Sequence, residues 1–368
     1  MGTPVAGGAV ASSIHTFYSR DAWIEGRAED QLKDVSSWKG MKTIAAFPDL
    51  HPGRFGPVGS AFLSDRIYPQ LVGSDIGCGI SVFRLSLQAR KLKLDKASRR
   101  MRSLEDDYDP QGDLPDGYFG ELSSLGTIGS GNHFCEIQSV QSCEGGFGIS
   151  PGDLLLMVHT GSRGYGYRLF REIEDKWNEG FEAGSPEALR YLDVHNKALE
   201  YARTNRMLVA TRAARALGSD LSLLVDTPHN FLSRSSSGWL HRKGAAPTDM
   251  SSLVPLAGSR DSLSYLIKPN SLAPAESLAS MAHGAGRKYD RASMHGRLRS
   301  GRSDLEALSR NPYGGRVICE DKSLLLEEAG VAYKSSQDVV RDLERHRIGT
   351  SVAELRPLLT YKKAITND

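Results

Sequence analysis

Leu154-Leu155-Leu156-Met157-Val158 runs directly into His159-Thr160-Gly161-Ser162-Arg163-Gly164. Five consecutive apolar residues, bounded by turn signals and too few for a buried helix, read as a strand covered on both faces. The chain leaves that strand through a histidine, a position suited to chemistry rather than core packing. The design recurs downstream, where Leu221 to Val225 reads as a second apolar strand and empties into Asp226-Thr227-Pro228-His229-Asn230. Between the two, residues 186–217 carry a helical period, read as two helices with a break near Thr204-Asn205. His195, on the first of them, reads as a surface or hydrogen-bond-satisfied histidine. Strands interleaved with helices, without an internal repeat or a clear linker, predict a mixed α/β (α+β) architecture in one large domain over residues 1–368. Residues 1–45 read as an N-terminal lead-in, with a short helix near Asp30 to Val35, and residues 46–363 as the core.

Working outward, Lys42 to Phe47 reads as a buried strand entering the turn Pro48-Asp49-Leu50-His51-Pro52-Gly53. Asp49 and His51 could serve a site there; the reading taken is a turn capped by its own side chains. Ile80 to Leu87 alternates apolar and polar residues as a half-buried strand does. Arg90 to Arg102 reads as a solvated basic helix face, followed by the acidic, Pro- and Gly-broken loop Glu105 to Gly117. Val254 to Ile267 suggests a further strand region, and Gln337 to Arg347 an amphipathic helix.

Two glycine-rich stretches concentrate the chemistry. Val72-Gly73-Ser74-Asp75-Ile76-Gly77-Cys78-Gly79-Ile80 sets a carboxylate and a thiol three residues apart on a turn that lets the backbone approach closely. A metal site, an activated nucleophile, or a plain turn with one inert buried cysteine all fit that stretch. Gly126-Thr127-Ile128-Gly129-Ser130-Gly131-Asn132-His133-Phe134-Cys135-Glu136 places three glycines before Asn132-His133 and an apolar run ending in Glu136. It lacks the lysine of a Walker A loop. Asp75, Cys78, His133, His159 and His229 make five ligand-capable residues, more than one tetrahedral site needs, so two metals sharing a thiolate are plausible. Ligand softness alone points to zinc. His283, in His283-Gly284-Ala285-Gly286-Arg287, reads instead as a nucleophile beside an anion clamp, and the basic run from Arg287 to Arg302 as the best anion-binding patch in the chain.

In this order, Pro48–Gly53, Gly73–Gly79, Gly126–Phe134, His159–Gly164, His229-Asn230 and His283–Arg287 closely resemble the RtcB family of GTP-dependent RNA ligases. The resemblance extends from about Phe47 to Lys362. It is strongest to the branch coupled to peptide release factor H, through Ala22-Trp23-Ile24-Glu25-Gly26 and the Arg287-Lys288-Tyr289 continuation. It implies mixed sheets flanked by helices around a central dinuclear metal cleft. Asp75, Cys78 and His133 would hold one Mn²⁺, and Cys78, His159 and His229 the other. His283 would carry GMP taken from GTP. Asn132 would contact phosphate, Glu136, Ser264 and Lys362 the guanine, and Arg287 the bound nucleotide. The implied reaction joins an RNA 3′-phosphate, or an opened 2′,3′-cyclic phosphate, to a 5′-hydroxyl, in RNA repair and on damaged ribosomal RNA. The chain departs from the family at Gly258-Ser259-Arg260-Asp261-Ser262, where the principal members read Gly-Ser-Met-Gly-Thr, and at Tyr289-Asp290-Arg291, where they read Met-Ser-Arg.

Composition sets bounds on these readings. Of 368 residues, 39% are hydrophobic and 24% charged, with a net charge of +2, so an anionic partner must be met by a local patch. No run approaches the roughly 18 apolar residues of a membrane span. Cys78, Cys135, Cys143 and Cys319 form no CxxC pair, as expected of a reduced, cytoplasmic protein. Two other classes compete with the ligase: a metal-dependent phosphodiesterase or cyclic phosphatase that opens RNA ends without joining them, and a non-catalytic RNA-binding protein.

Overall fold

A computed structural model describes residues 12–118, 120–171 and 179–364. The apolar run expected at Leu154–Val158 is the strand Asp153–Thr160, and it lies inside the largest sheet. That sheet orders its strands as 254–256, 264–269, 349–363, 134–143, 153–160, 79–88 and 221–228, with 316–319 pairing alongside 349–363. Neighbours are antiparallel except at 316–319. Leu154 through Val158 are all less than 1% exposed, because packed side chains cover both faces. A second sheet orders 13–16, 41–51, 58–64, 238–243 and 230–235, with 13–16 parallel to 41–51. Helices flank these sheets, as the mixed α/β reading expects. No described helix is long and apolar enough to cross a membrane.

The segment expected as two helices is one, Pro186–Leu217. Ser185 caps it by accepting from the Ala188 amide, Pro186 occupies the first turn, and Gly218 closes it in the left-handed conformation. Thr204 and Asn205 look like helix breakers in sequence because their side chains compete for backbone hydrogen bonds. Here Asn205 points its amide away from the helix. Its Oδ1 accepts from the amides of Gly126 and Thr127 at 2.7 and 3.2 Å, and its Nδ2 donates to the Thr127 carbonyl at 3.0 Å. The polar pair therefore fastens the glycine-rich loop instead of ending the helix.

Arg206, the next residue, is 1% exposed. It donates to the Gly77 carbonyl at 2.7 Å, the Thr160 carbonyl at 3.1 Å, and both carboxylate oxygens of Asp226 at 2.7 and 3.1 Å. One guanidinium thus ties together the neighbours of Cys78 and His159 and the strand end leading to His229. Breaking such a buried pair from one side costs about 3–5 kcal/mol, so the three loops are held in register by a substantial interaction. Gly77 allows the approach: its φ is +75°, and a Cβ there would lie 2.8 Å from that of Ala202 on the helix. His195 is buried and accepts from the Leu232 amide at 2.8 Å, the satisfied alternative.

Two further expectations need correction. The strand from Met41 continues to His51, so Asp49 lies on a strand and not in a turn. The run after His133 does not end at Glu136; it continues to Cys143, paired on both sides. The tail beyond the helix Ser336–Arg345 forms a strand of 15 residues, Gly349–Lys363, whose Pro357 sits near a register shift that accommodates its missing amide. The N-terminal lead-in is also built into the structure. Residues 13–16 pair with 43–46, the helix Gly26–Ser36 buries Ala28, Leu32 and Val35, and Ser19 bonds Asp342.

Candidate metal and nucleotide site

Strand ends from the large sheet and the turn at Gly73–Gly79 converge on one point. Cys78 Sγ lies 3.3 Å from His133 Nε2 and 3.3 Å from His159 Nε2. His159 Nε2 is 3.3 Å from His229 Nε2, and His133 Nε2 is 2.9 Å from Asp75 Oδ2. All five residues singled out by type therefore form a continuous chain, with the thiol in the middle. Gly161 gives the carboxylate room, since a Cβ there would stand 2.3 Å from Asp75 Oδ1.

The donor set fits a divalent transition metal. Cys78, His133 and His159 present ligand atoms within 4.8 Å of one another, and Asp75 Oδ1 is buried with no hydrogen-bond partner among the described residues. Burial, together with repulsion from His133, holds His159 well below the ordinary imidazole range; burial and His283 do the same to His229. Both are thus neutral and keep a lone pair for a cation. Burial works to raise the Asp75 carboxyl, but His133, Cys78 and Arg163 together hold it below the ordinary carboxylate range. Burial and Asp75 push the Cys78 thiol far up, a cost that a bound cation removes by stabilising the thiolate.

His283 stands beside this cluster, its ring centroid 4.4 Å from that of His229. Its Nδ1 is 2.7 Å from Asp49 Oδ2, and its own amide donates to the same oxygen at 3.1 Å. Asp49 is completely buried. A carboxylate there fixes the proton on Nδ1 and leaves the lone pair on Nε2, the state a nucleophilic imidazole needs. Sequence reading set Asp49 aside as a turn residue; the signal for it was its place in the Pro48–Gly53 motif.

A cavity of about 630 Å³ opens over these groups and is lined by Cys78, Asn132, Glu136, His283, Arg287 and Lys362, among others. Glu136 is buried, accepts from Gln138 at 2.6 Å and from Thr360, and burial raises its carboxyl to about 7. Gln138 also donates to Ser264 Oγ at 2.9 Å, and Ser264 Oγ accepts from the Gly258 amide at 3.0 Å. Lys362 donates to the His133 carbonyl at 3.2 Å and lies 3.4 Å from Glu328.

Arg287 lines the cavity, but its guanidinium is engaged by Glu328 at 3.0 Å and by the carbonyls of Glu327 and Tyr289 at 2.8 and 2.9 Å. Glu328 also pairs with Arg291 at 3.3 Å and accepts from Tyr333. Burial would raise this carboxyl, yet Lys362 and Arg287 bring it down to about 2. The basic run is therefore partly spent within the protein, on a glutamate that carries no distinguishing signal in the sequence. Trp23 meets Tyr289 edge-on at 6.1 Å, and Glu25 and Arg27 line the cavity, so the N-terminal segment forms part of its wall.

A family model described as tRNA-splicing ligase RtcB matches residues 31–113 and 118–363. RNA-splicing ligase RtcB2 of Escherichia coli is 41% identical over 371 residues, covering 96% of this chain and 97% of the relative. tRNA-splicing ligase RtcB of Archaeoglobus fulgidus is 27% identical over 440 residues, 91% of each chain. RNA-splicing ligase RtcB of Mycobacterium tuberculosis is 30% identical over 282 residues, 64% of each.

Proposed function

The chain belongs to the RtcB family, and on that premise we propose that it is an RNA ligase that joins a 3′-phosphate end to a 5′-hydroxyl end through GMP carried on His283. The observation that carries this reading is His283 itself, oriented by buried Asp49 and seated against the Cys78–His159–His229 cluster.

His283 Nε2 attacks the α-phosphorus of GTP; an N–P bond forms, the bond to the bridging oxygen breaks, and pyrophosphate leaves. Asp49 faces the proton on Nδ1 and offsets the positive charge the ring acquires. An oxygen of the RNA 3′-phosphate then takes the GMP and frees the imidazole. The incoming 5′-hydroxyl attacks that 3′-phosphorus, and GMP departs with the electron pair. A 2′,3′-cyclic end is first opened by water to the 3′-phosphate. Asp75, Cys78 and His133 would hold one Mn²⁺ and Cys78, His159 and His229 a second, and the bound ions would supply charge neutralisation at the phosphoryl oxygens. Glu136, Ser264 and Lys362 hold the guanine, Asn132 contacts phosphate, and Arg287 fixes the wall around the nucleotide through Glu328. Repair of cleaved RNA, including ribosomal RNA, and a functional link to peptide release factor H complete the proposal. They rest on the motif resemblance and on the match along nearly the whole length of a 41% identical relative.

The test uses two oligonucleotides, one ending in a 3′-phosphate and one beginning with a 5′-hydroxyl. With GTP and Mn²⁺ they should be joined. Chelation should stop joining and added Mn²⁺ restore it. Opening of a 2′,3′-cyclic end without GTP and without any joined product would favour the phosphodiesterase instead.

Asp49→Asn tests the positioning of His283. The amide oxygen can still accept from Nδ1 and from the residue 283 amide, but it carries no charge to offset the imidazolium that forms as the ring attacks. Single-turnover labelling with GTP should slow by about 10²–10³-fold, with the half-saturating GTP concentration unchanged. An unchanged rate would reduce Asp49 to a structural group.

A further inference from the structure

Arg260 brings a buried, poorly compensated charge into the cavity wall. Its side chain is 3% exposed, it lines the cavity, and none of Nε, Nη1 and Nη2 has a hydrogen-bond partner among the described residues. The nearest carboxylate, Asp261, stands 3.9 Å away and already accepts from the Gly330 amide at 2.9 Å. Glu328, a fully buried carboxylate at the same end, is taken by Arg287, Arg291, Lys362 and Tyr333. A buried guanidinium with idle donors is expensive unless something outside the chain supplies acceptors.

The loop that carries it is preorganised. Ser259 and Ser262 bond each other through amide and hydroxyls at 2.8 and 3.1 Å, and the Asp261 amide donates to Ser259 at 3.2 Å. The loop is also tied to Glu136, through Gly258, Ser264 and Gln138. An acceptor-rich carboxylate and a donor-rich guanidinium are thus held by one hydrogen-bond network. Guanine matches that pair on two edges: N1–H and the N2 amino group donate, whereas O6 and N7 accept side by side at the spacing of an arginine fork. A phosphate fits less well, because the groups around Arg260 include Asp261, Cys319, Glu328 and Tyr333, two of them carboxylates.

We propose that Arg260 reads the O6/N7 edge of the guanine, opposite Glu136, and so sets the preference of the site for guanine over adenine. This rests on the nucleotide-binding reading above and adds a contact that the Met of the principal family members cannot make. Adenine would turn its N6 amino group, a donor, toward the guanidinium.

Calorimetric titration with GMP, 7-deaza-GMP and AMP, on wild type, Arg260→Met and Arg260→Lys, tests it without any covalent step. Wild type should bind GMP about 10- to 100-fold more tightly than AMP, as a bidentate arginine–guanine pair predicts, and measurably more tightly than 7-deaza-GMP, which lacks the N7 acceptor. Arg260→Met should lose about that factor for GMP and no longer distinguish GMP from 7-deaza-GMP. Arg260→Lys, which keeps the charge without the fork, should recover only part of it. The proposal is overturned if wild type binds GMP and 7-deaza-GMP equally, a result that needs no variant to fold, or if Arg260→Met keeps the wild-type ratio between them. N7-dependent binding without a His283 adduct would sink the guanylylation reading alone; equal labelling by subsaturating GTP and 7-deaza-GTP would sink the Arg260 contact alone.

Discussion

His283→Ala should accumulate no covalent GMP when incubated with α-labelled GTP and Mn²⁺, where wild type should give an acid-labile, alkali-stable adduct. The loss should exceed about 10⁴-fold, because a missing nucleophile has no neighbour able to replace it. His159 and His229, the nearest imidazoles, are chained to Cys78 and to each other through Nε2, so their lone pairs are committed to the cluster. Asp49 would keep its hydrogen bond from the residue 283 amide, which should preserve the strand end and the fold. A sharper prediction follows from the order of steps. The imidazole is needed to load GMP and to pass it to RNA, but not for the final displacement by the 5′-hydroxyl. His283→Ala should therefore still join an RNA whose 3′-phosphate already carries GMP. Equal labelling of variant and wild type would remove His283 from the mechanism; failure on the preloaded RNA, with metal content intact, would mean that the histidine also acts in the last step.

Much of this site is legible as residue types at the ends of apolar runs. An apolar strand reveals itself by its run of apolar residues, and a polar residue at its end lies where the strand stops; His159 and His229 are legible that way, the first after a strand buried on both faces and the second after the edge strand 221–228, whose Leu223 is 43% exposed. Convergence was not legible. It depends on Arg206 collecting Gly77, Thr160 and Asp226, which are 129, 46 and 20 residues away in the chain. The same helix misled: Thr204 and Asn205 have poor local helix preference, and tertiary bonds to the Gly126–Thr127 loop override it. Asp49 looked like a turn residue because Pro and Gly flank it, yet the strand runs on to His51 and delivers the carboxylate to His283. Glu328 and the idle state of Arg260 left no mark at all, since both are defined by which partners are already occupied.

Cys78 poses the strictest test of the proposed dinuclear reading. Its sulfur is equidistant, at 3.3 Å, from a histidine on the Asp75 side and a histidine on the His229 side. If one thiolate serves both cations, Cys78→Ala removes a ligand from each site at once, leaving Asp75 and His133 for one ion and His159 and His229 for the other. Two neutral imidazoles alone hold Mn²⁺ poorly, since that ion prefers oxygen donors and stands low in the affinity order. Cys78→Ala should therefore lose both ions, with binding weakened by more than about 100-fold in Mn²⁺ titration and metal analysis, and it should form no GMP adduct. His229→Ala supplies the contrast: it touches one site only, so the ion held by Asp75, Cys78 and His133 should remain while the second is lost. Should Cys78→Ala retain two tightly bound ions, the thiolate is not a bridge and the two sites are built independently. Should Cys78→Ala and His229→Ala each lose a single ion, the sulfur belongs to one site, and the 3.3 Å approach to the other histidine is packing alone.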